Sequence, residues 1–186
     1  MPSILLTAPA VEPLSLAEAK AFLRVEYNDD DDVIGALLAA ARIHVEAQTR
    51  RALVAQQWRL TLDVWPADGR LKVLPAPLAA LNAVRVYDDA GHASALDLQS
   101  FVVDTAGSQL VFAPWALAQP GRAAAGIEVD VTAGYGAAAS DVPEPLRQAV
   151  RLLTAHWYEN RGIAGASGTL PVTVAALIAP YRMLSL

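Results

Sequence analysis

Three groups of residues are of types that could do chemistry, and their spacing decides whether they can. Asn28 is followed by four consecutive aspartates, Asp29 to Asp32. Such a run invites comparison with a helix-loop-helix calcium site. That site needs ligands at alternating positions, a Gly at the sharp turn and a Glu at the twelfth place. Here the acids are consecutive and neither residue follows in register. Helix capping accounts for the run more simply: any of Asp29 to Asp32 suits an N-cap, and the others sit at the positive end of the helix dipole.

The second group is His156 and Glu159, three residues apart on one predicted helix face. Carboxylate-bridged metal bundles use that spacing, but they draw further Glu and His ligands from several helices. The remaining histidines are His44 and His92, and His92 lies in a predicted turn. The third group is glycine-rich. Gly165-Ala166-Ser167-Gly168 misses the G-x-S-x-G spacing of a nucleophile elbow at Thr169 and follows no strand. Gly134-Tyr135-Gly136 follows a predicted strand, but no phosphate-binding fingerprint extends from it. A strand-to-helix turn with positive φ explains both of those glycines. With no cysteine, thiolate catalysis, disulfides and thiolate metal sites are excluded. Nothing assembles into a catalytic constellation, and no cofactor or metal is expected.

The elements that must carry these residues are legible from periodicity. Ser15-Leu16-Ala17-Glu18 has the capping-box form and opens a short helix to about Arg24, with Leu16, Ala19 and Leu23 on one face. From Asp32 to about Arg51 a second helix places Val33, Leu37, Leu38, Ala41 and Val45 in an apolar stripe. Arg42, Glu46 and Arg50 follow one another along another face at i, i+4 spacing. The period then changes to two. Trp58, Leu60, Leu62 and Val64 alternate with Arg59, Thr61 and Asp63. After a turn at Pro66–Gly69, Leu71 and Val73 alternate with Arg70 and Lys72, and Pro75 and Pro77 interrupt pairing. Further strands are predicted at 83–87, 95–98, 101–103, 109–112 and 127–131, about seven in all. Asp88-Asp89-Ala90-Gly91 reads as a hairpin turn, and the Pro-, Gly- and Ala-rich stretch 113–126 as a loop. Helix returns near Pro143, where Leu146, Val150, Leu153 and Trp157 approach a coiled-coil seam. Gly162–Gly168 is a connector. The chain closes with a short helix within Pro171–Pro180 and an apolar tail, Tyr181 to Leu186.

The expected class is therefore α+β: a helical core with an inserted small antiparallel β region and a C-terminal docking tail. One domain spans 1–186, with 14–52 and 142–161 as the helical core, 53–135 as the β-rich insertion, and 162–186 as linker and tail. Apolar residues in a tail with no purpose would be unusual; they either dock onto a partner or fold back on the chain's own core. Composition narrows the function. Hydrophobic residues make up 54% and the net charge is −5, so a packed core is available and a basic duplex-binding surface is not. The N-terminus lacks the charged region and long apolar run of a signal peptide, and every apolar run is interrupted short of a membrane span. No membrane association is expected, and synthesis in the cytoplasm is.

The ordered set of short motifs resembles a known family. Pro13-Leu14-Ser15-Leu16-Ala17-Glu18-Ala19-Lys20, Phe22-Leu23-Arg24-Val25, Asp31-Asp32-Val33-Ile34 and Ala39-Ala40-Ala41-Arg42 resemble the opening of phage head–tail connector (adaptor) proteins, in the branch found in prophages and gene transfer agents. The likeness continues through Thr49-Arg50-Arg51-Ala52-Leu53, Gln57-Trp58, Val86-Tyr87-Asp88-Asp89-Ala90-Gly91 and Ala133-Gly134-Tyr135-Gly136. It closes with Ala155-His156-Trp157-Tyr158-Glu159-Asn160-Arg161 and Ala179-Pro180-Tyr181-Arg182; the stretch 96–125 matches only as generic strands and loops. The resemblance implies a structural virion protein, not an enzyme, made in the bacterial cytoplasm and placed at the head–tail junction of a phage or phage-like particle. It implies a homo-oligomeric, dodecameric ring that binds the portal protein above and a stopper or other tail-completion protein below. DNA would pass through the lumen without specific binding. Tyr181, Arg182, Met183, Leu184 and Leu186 are the implied portal-binding residues, and Arg42, Glu46, Arg50 and Trp157 the subunit–subunit candidates. Two rival readings remain. One is a small β-rich module that binds carbohydrate or peptide through Trp58, Trp65, Tyr87 or Trp115. The other is a hydrolase using His156 and Glu159.

Overall fold

Ser15 starts the first helix as its sequence requires. Its hydroxyl accepts from the Glu18 amide while the Glu18 carboxylate accepts from the Ser15 amide at 2.8 Å, a closed capping box. Helix α1 runs over Leu16–Leu23 and α2 over Asp31–Thr49. The computed structural model, which describes residues 2–160 and 170–183, adds eight strands, one of them ahead of α1, and two further helices. The strands are β1 Ser3–Thr7, β2 Gln56–Leu62, β3 Arg70–Lys72, β4 Leu78–Tyr87, β5 Ala93–Ala95, β6 Phe101–Asp104, β7 Gln109–Phe112 and β8 Ile127–Ala133. Helix α3 is Glu144–Glu159 and α4 is Val172–Ile178. The class is α+β.

The chain divides into two compact units. One holds Val11–Val54 and Tyr135 onward; the other holds residues 1–10 with Ala55–Gly134. In the helical unit the core is built from Leu14, Ala19, Ile34, Leu38, Ala41, Val45, Leu146, Val150, Leu153, Val174 and Ile178, all at or below 3% exposure. The stripe on α2 is rotated from its predicted position. Ile34 faces inward at i−4 from Leu38, and Val33, about one-third of a turn away, stands 41% exposed. The Leu146, Val150, Leu153 series on α3 is buried as predicted.

In the β unit every pairing is antiparallel: β1-β2-β8-β4-β5 form one sheet and β3-β7-β6 another. The core lies on the face carrying Leu60, Val84, Val86, Ile127, Val129 and Val131, with Trp65 meeting Phe112 edge-on at 5.1 Å. Strand β2 ends at Leu62, so Val64 is 69% exposed and the next residue, Trp65, enters the core instead. Strand β4 starts at Leu78, earlier than its alternation suggests, because register irregularities at Leu78/Ala80 and Leu81/Ala83 break the period of two. The 95–98 strand is displaced to Ala93–Ala95, and Leu98–Ser100 is a 3-10 turn capped by Asp97. Strand β1 has no counterpart among the predicted strands.

The opposite face of the larger sheet is polar, because cross-strand neighbours are charge-matched. Asp130 receives both Arg59 Nε (2.6 Å) and an Arg59 terminal nitrogen (2.9 Å), plus Arg85 (2.7 Å), and Glu128 lies 3.2 Å from Arg59. The Arg59 bonds hold the Asp130 carboxyl below the usual carboxylate range against the opposing effect of burial, with Arg85 assisting. A carboxyl depressed on folding stabilises above its unfolded pKa and stops doing so as pH falls through its folded value. Asp130→Asn should therefore cost about 1–3 kcal/mol at pH 7. That deficit should shrink as pH falls below about 4, as read by urea unfolding with tryptophan fluorescence. A deficit independent of pH would contradict this assignment.

Candidate functional site

Some of the residues singled out by the sequence lie at the two ends of α2. At its start, Asp30 occupies the N-cap position but its side chain makes no capping bond. The carboxylate instead accepts from the Tyr158 hydroxyl, which lies 3.3 Å from the Tyr27 hydroxyl. Donation to Asp30, with Tyr27 alongside, raises the Tyr158 phenol well above its ordinary value. Asp31 pairs with Lys20 of α1 at 2.6 Å. The aspartate run thus ties α2 to α1 and α3, a role different from the capping expected of it. Arg147 adds a second tie that the sequence gave no sign of: it donates to the Pro13 carbonyl (3.0 Å), Glu144 (2.8 Å) and Glu18 (2.8 Å).

Along α2, Arg42 is buried and forks between Glu12 and Glu46, each at 2.8 Å. The second Glu46 oxygen accepts from the Leu53 amide at 2.8 Å. These two predicted subunit-contact residues are thereby engaged in holding residues 12 and 53 to the helix. The helix ends at Arg50 in the left-handed conformation (φ 55°), with its amide returned to the Glu46 carbonyl. Arg50 itself is exposed and forms no ion pair among the described residues. Trp157 is half-buried and meets the His44 ring edge-on at 5.8 Å, joining α3 to α2.

The chain's C-terminal segment docks on this same helix end. Val174 and Ile178 of α4 are fully buried, and Tyr181 packs against the same core. The Met183 amide donates to the Thr49 carbonyl at 3.2 Å, one of the carbonyls a helix C-terminus leaves without a partner. Arg51 Nε donates to the Tyr181 carbonyl at 2.7 Å, and Arg182 reaches Gln48 at 3.2 Å. The foldback alternative therefore holds as far as Met183. Leu184 and Leu186, like the connector 162–168 and Ser167, lie outside the described residues.

The rival chemistries find little geometry. His156 and Glu159 are both exposed near the end of α3, and His156 contacts Asn160 at 3.3 Å. Among the described residues no group of three or more His, Asp or Glu side chains is placed to hold a metal, and no helix is long and apolar enough to cross a membrane. Gly134 has φ 138°, but Gly136 does not share a positive φ. A Cβ at Gly136 would collide with the Asp141 carboxylate, which accepts from the Ala138 amide at 2.9 Å, so close approach is what demands that glycine. The four aromatics proposed as a binding platform are dispersed. Trp65 is in the core with its indole donating to the Ala118 carbonyl, Trp58 packs against that core, Tyr87 lies under Arg122 at 4.5 Å, and Trp115 alone is 86% exposed.

Among the described residues, the charged and aromatic side chains singled out above fasten helix ends and the segment leading to Met183, and a class of structural assembly subunits is what the comparisons give. Residues 13–83 match the model of the phage gp6-like head–tail connector proteins. A chain in the neck of an empty GTA particle computed with C6 symmetry is 31% identical, with 100% of this chain and 97% of that one covered and a TM-score of 0.85. A chain in the virion of a native gene transfer agent (GTA) particle is 29% identical over 100% and 97%, with a TM-score of 0.84. One in the neck of a native GTA particle computed with C12 symmetry is 31% identical over 98% and 97%, with a TM-score of 0.76. No curated protein matches significantly. The chain belongs to the phage gp6-like head–tail connector family, a structural family and not a class of enzymes.

Because Arg42 is buried between two carboxylates and Arg50 is exposed, their substitutions should separate. Arg42→Met should cost about 2–3 kcal/mol in urea unfolding, since it strands charges at Glu12 and Glu46. Arg50→Ala should change stability by less than about 0.5 kcal/mol. Equal effects would refute the fork's structural role.

Proposed function

We propose that this chain is the connector subunit of a phage or gene-transfer-agent-like particle, forming a dodecameric ring beneath the portal and joining the DNA-filled head to the tail. The observation that carries the reading is the likeness to neck chains at 31% identity over the whole chain, in particles treated with sixfold and twelvefold symmetry. The helical unit, with residues 14–52 and 142–161 at its centre, forms the ring. The β unit, corresponding to 53–135 with the N-terminal strand, presents a surface to a stopper or other tail-completion protein. Arg50 and the outer edge of Trp157 contact the adjacent subunit, while Arg42 and Glu46 contribute by fixing the helix that bears them. Net charge −5 suits a lumen through which a duplex slides without being held.

The C-terminal segment 162–186 secures the ring to the portal. Anchoring of Tyr181 and Met183 on the end of α2 sets the point from which Arg182, Leu184 and Leu186 meet that partner. Truncation after Met183 preserves both anchoring bonds; it should melt like the full chain yet fail to co-purify with the portal encoded beside it. Truncation after Ala179 also removes the Tyr181 packing and should lose about 1–3 kcal/mol of stability as well. Portal binding retained by the chain ending at Met183 would overturn the role given to Leu184 and Leu186. Failure of the full chain to bind any portal would overturn the connector reading itself.

A further inference from the structure

Among the described residues the two sheets of the β unit have four open edges, and two kinds of protection are visible on them. Strand β3 carries Arg70 and Lys72. Strand β5 is only three residues long, Ala93–Ala95. Charge and shortness are the usual ways by which sheet edges avoid pairing with other chains. Strand β1 has neither. It is five residues long, uncharged and exposed throughout, with Ile4, Leu5 and Leu6 at 56, 43 and 42% exposure. Its one irregularity falls between Leu5 and Thr7, so Ser3, Ile4 and Leu5 stay in regular register with Leu60, Arg59 and Trp58. Among the described residues the outer edge of β1 pairs with no other strand, so it presents ordered backbone flanked by apolar side chains.

The same unit offers one matching edge. Strand β6 closes the smaller sheet with Val102 at 66% and Val103 at 36% exposure. Its single charge, Asp104, is turned to the Gly107 amide and the Gln109 side chain, both at 2.8 Å, which leaves Phe101 to Val103 uncharged. We infer that β1 is an intermolecular pairing edge, and that its occupant is a second copy of this chain, received along β6. Each copy then has one giving and one receiving edge. The contact is heterologous and head-to-tail, the type that must close into a ring or run on as a filament. Main-chain bonds supply the pairing, and Ile4 or Leu6 against Val102 or Val103 supplies its apolar part. The inference rests on the ring reading above and assigns to the ring a contact outside the helical unit.

The chain has no cysteine, so introduced thiols report this contact without background. In full-length rings assembled on the portal, Leu5→Cys combined with Val102→Cys should give, on mild oxidation, a ladder of multimers on a non-reducing gel. Either single substitution should run as monomer. Ile4→Lys with Leu6→Lys, at positions that are already solvent-exposed, should leave the far-ultraviolet spectrum and melting temperature unchanged while lowering ring yield by about tenfold or more. Rings that form normally from the doubly charged variant, or that give no ladder, would overturn the inference while leaving the connector reading intact. Absence of rings from the unaltered chain would instead defeat the ring reading, and this inference with it.

Discussion

The helical unit depends on α2 having both of its ends closed by other parts of the chain. A helix end leaves backbone groups without partners, and those groups must find side chains, water or another segment. At the far end of α2 the Thr49 carbonyl is taken by Met183, after Arg50 has turned the chain through a left-handed residue. At the near end the Asp30 and Asp31 carboxylates are held by Tyr158 and Lys20. Between them, Arg42 and Glu46 fasten residues 12 and 53. Segments separated by more than a hundred residues in sequence meet on one nineteen-residue helix, and this is why α2 can serve as the spine of an assembly subunit.

The parts of this arrangement that obey local rules were readable in advance. The Ser15–Glu18 capping box, the Leu146–Val150–Leu153 stripe and the Asp88–Gly91 turn each follow from residue type and spacing within one turn or hairpin. The likeness of short motifs to head–tail connectors was also legible, because its pieces keep their order across the chain. What escaped was decided by distant partners. Nothing near Asp30 announces Tyr158, nothing near Arg42 announces Glu12, and Arg147 looks like an ordinary surface residue until Pro13 and Glu18 are brought beside it.

Strand β1 escaped for a different reason. Ile4, Leu5 and Leu6 are consecutive apolar residues with no alternation, and the strand exists because β2 pairs with it, since all five of its residues remain exposed. The early start of β4 was hidden by the irregularities that shift its alternation. Val33 and Val64 show the same limit at single positions. Val33 belongs to the predicted helix stripe and Val64 to the predicted strand alternation, yet each is exposed because a neighbour, Ile34 or Trp65, takes the buried place. Periodicity identifies an element and its approximate face; the phase is set by packing.

Two units of different construction fit the division of labour expected of a joint. The helical one is held by ion pairs and docked ends, the β one by a cross-strand charge cluster on one face and an aromatic core on the other. The central claim, that this chain acts by oligomerising at a portal, is most directly tested by native mass spectrometry of the full-length protein mixed with the portal of its own particle. The account predicts one ring of twelve copies on each portal, in keeping with the twelvefold neck of its structural relative. A chain that stays monomeric beside an intact portal would contradict it.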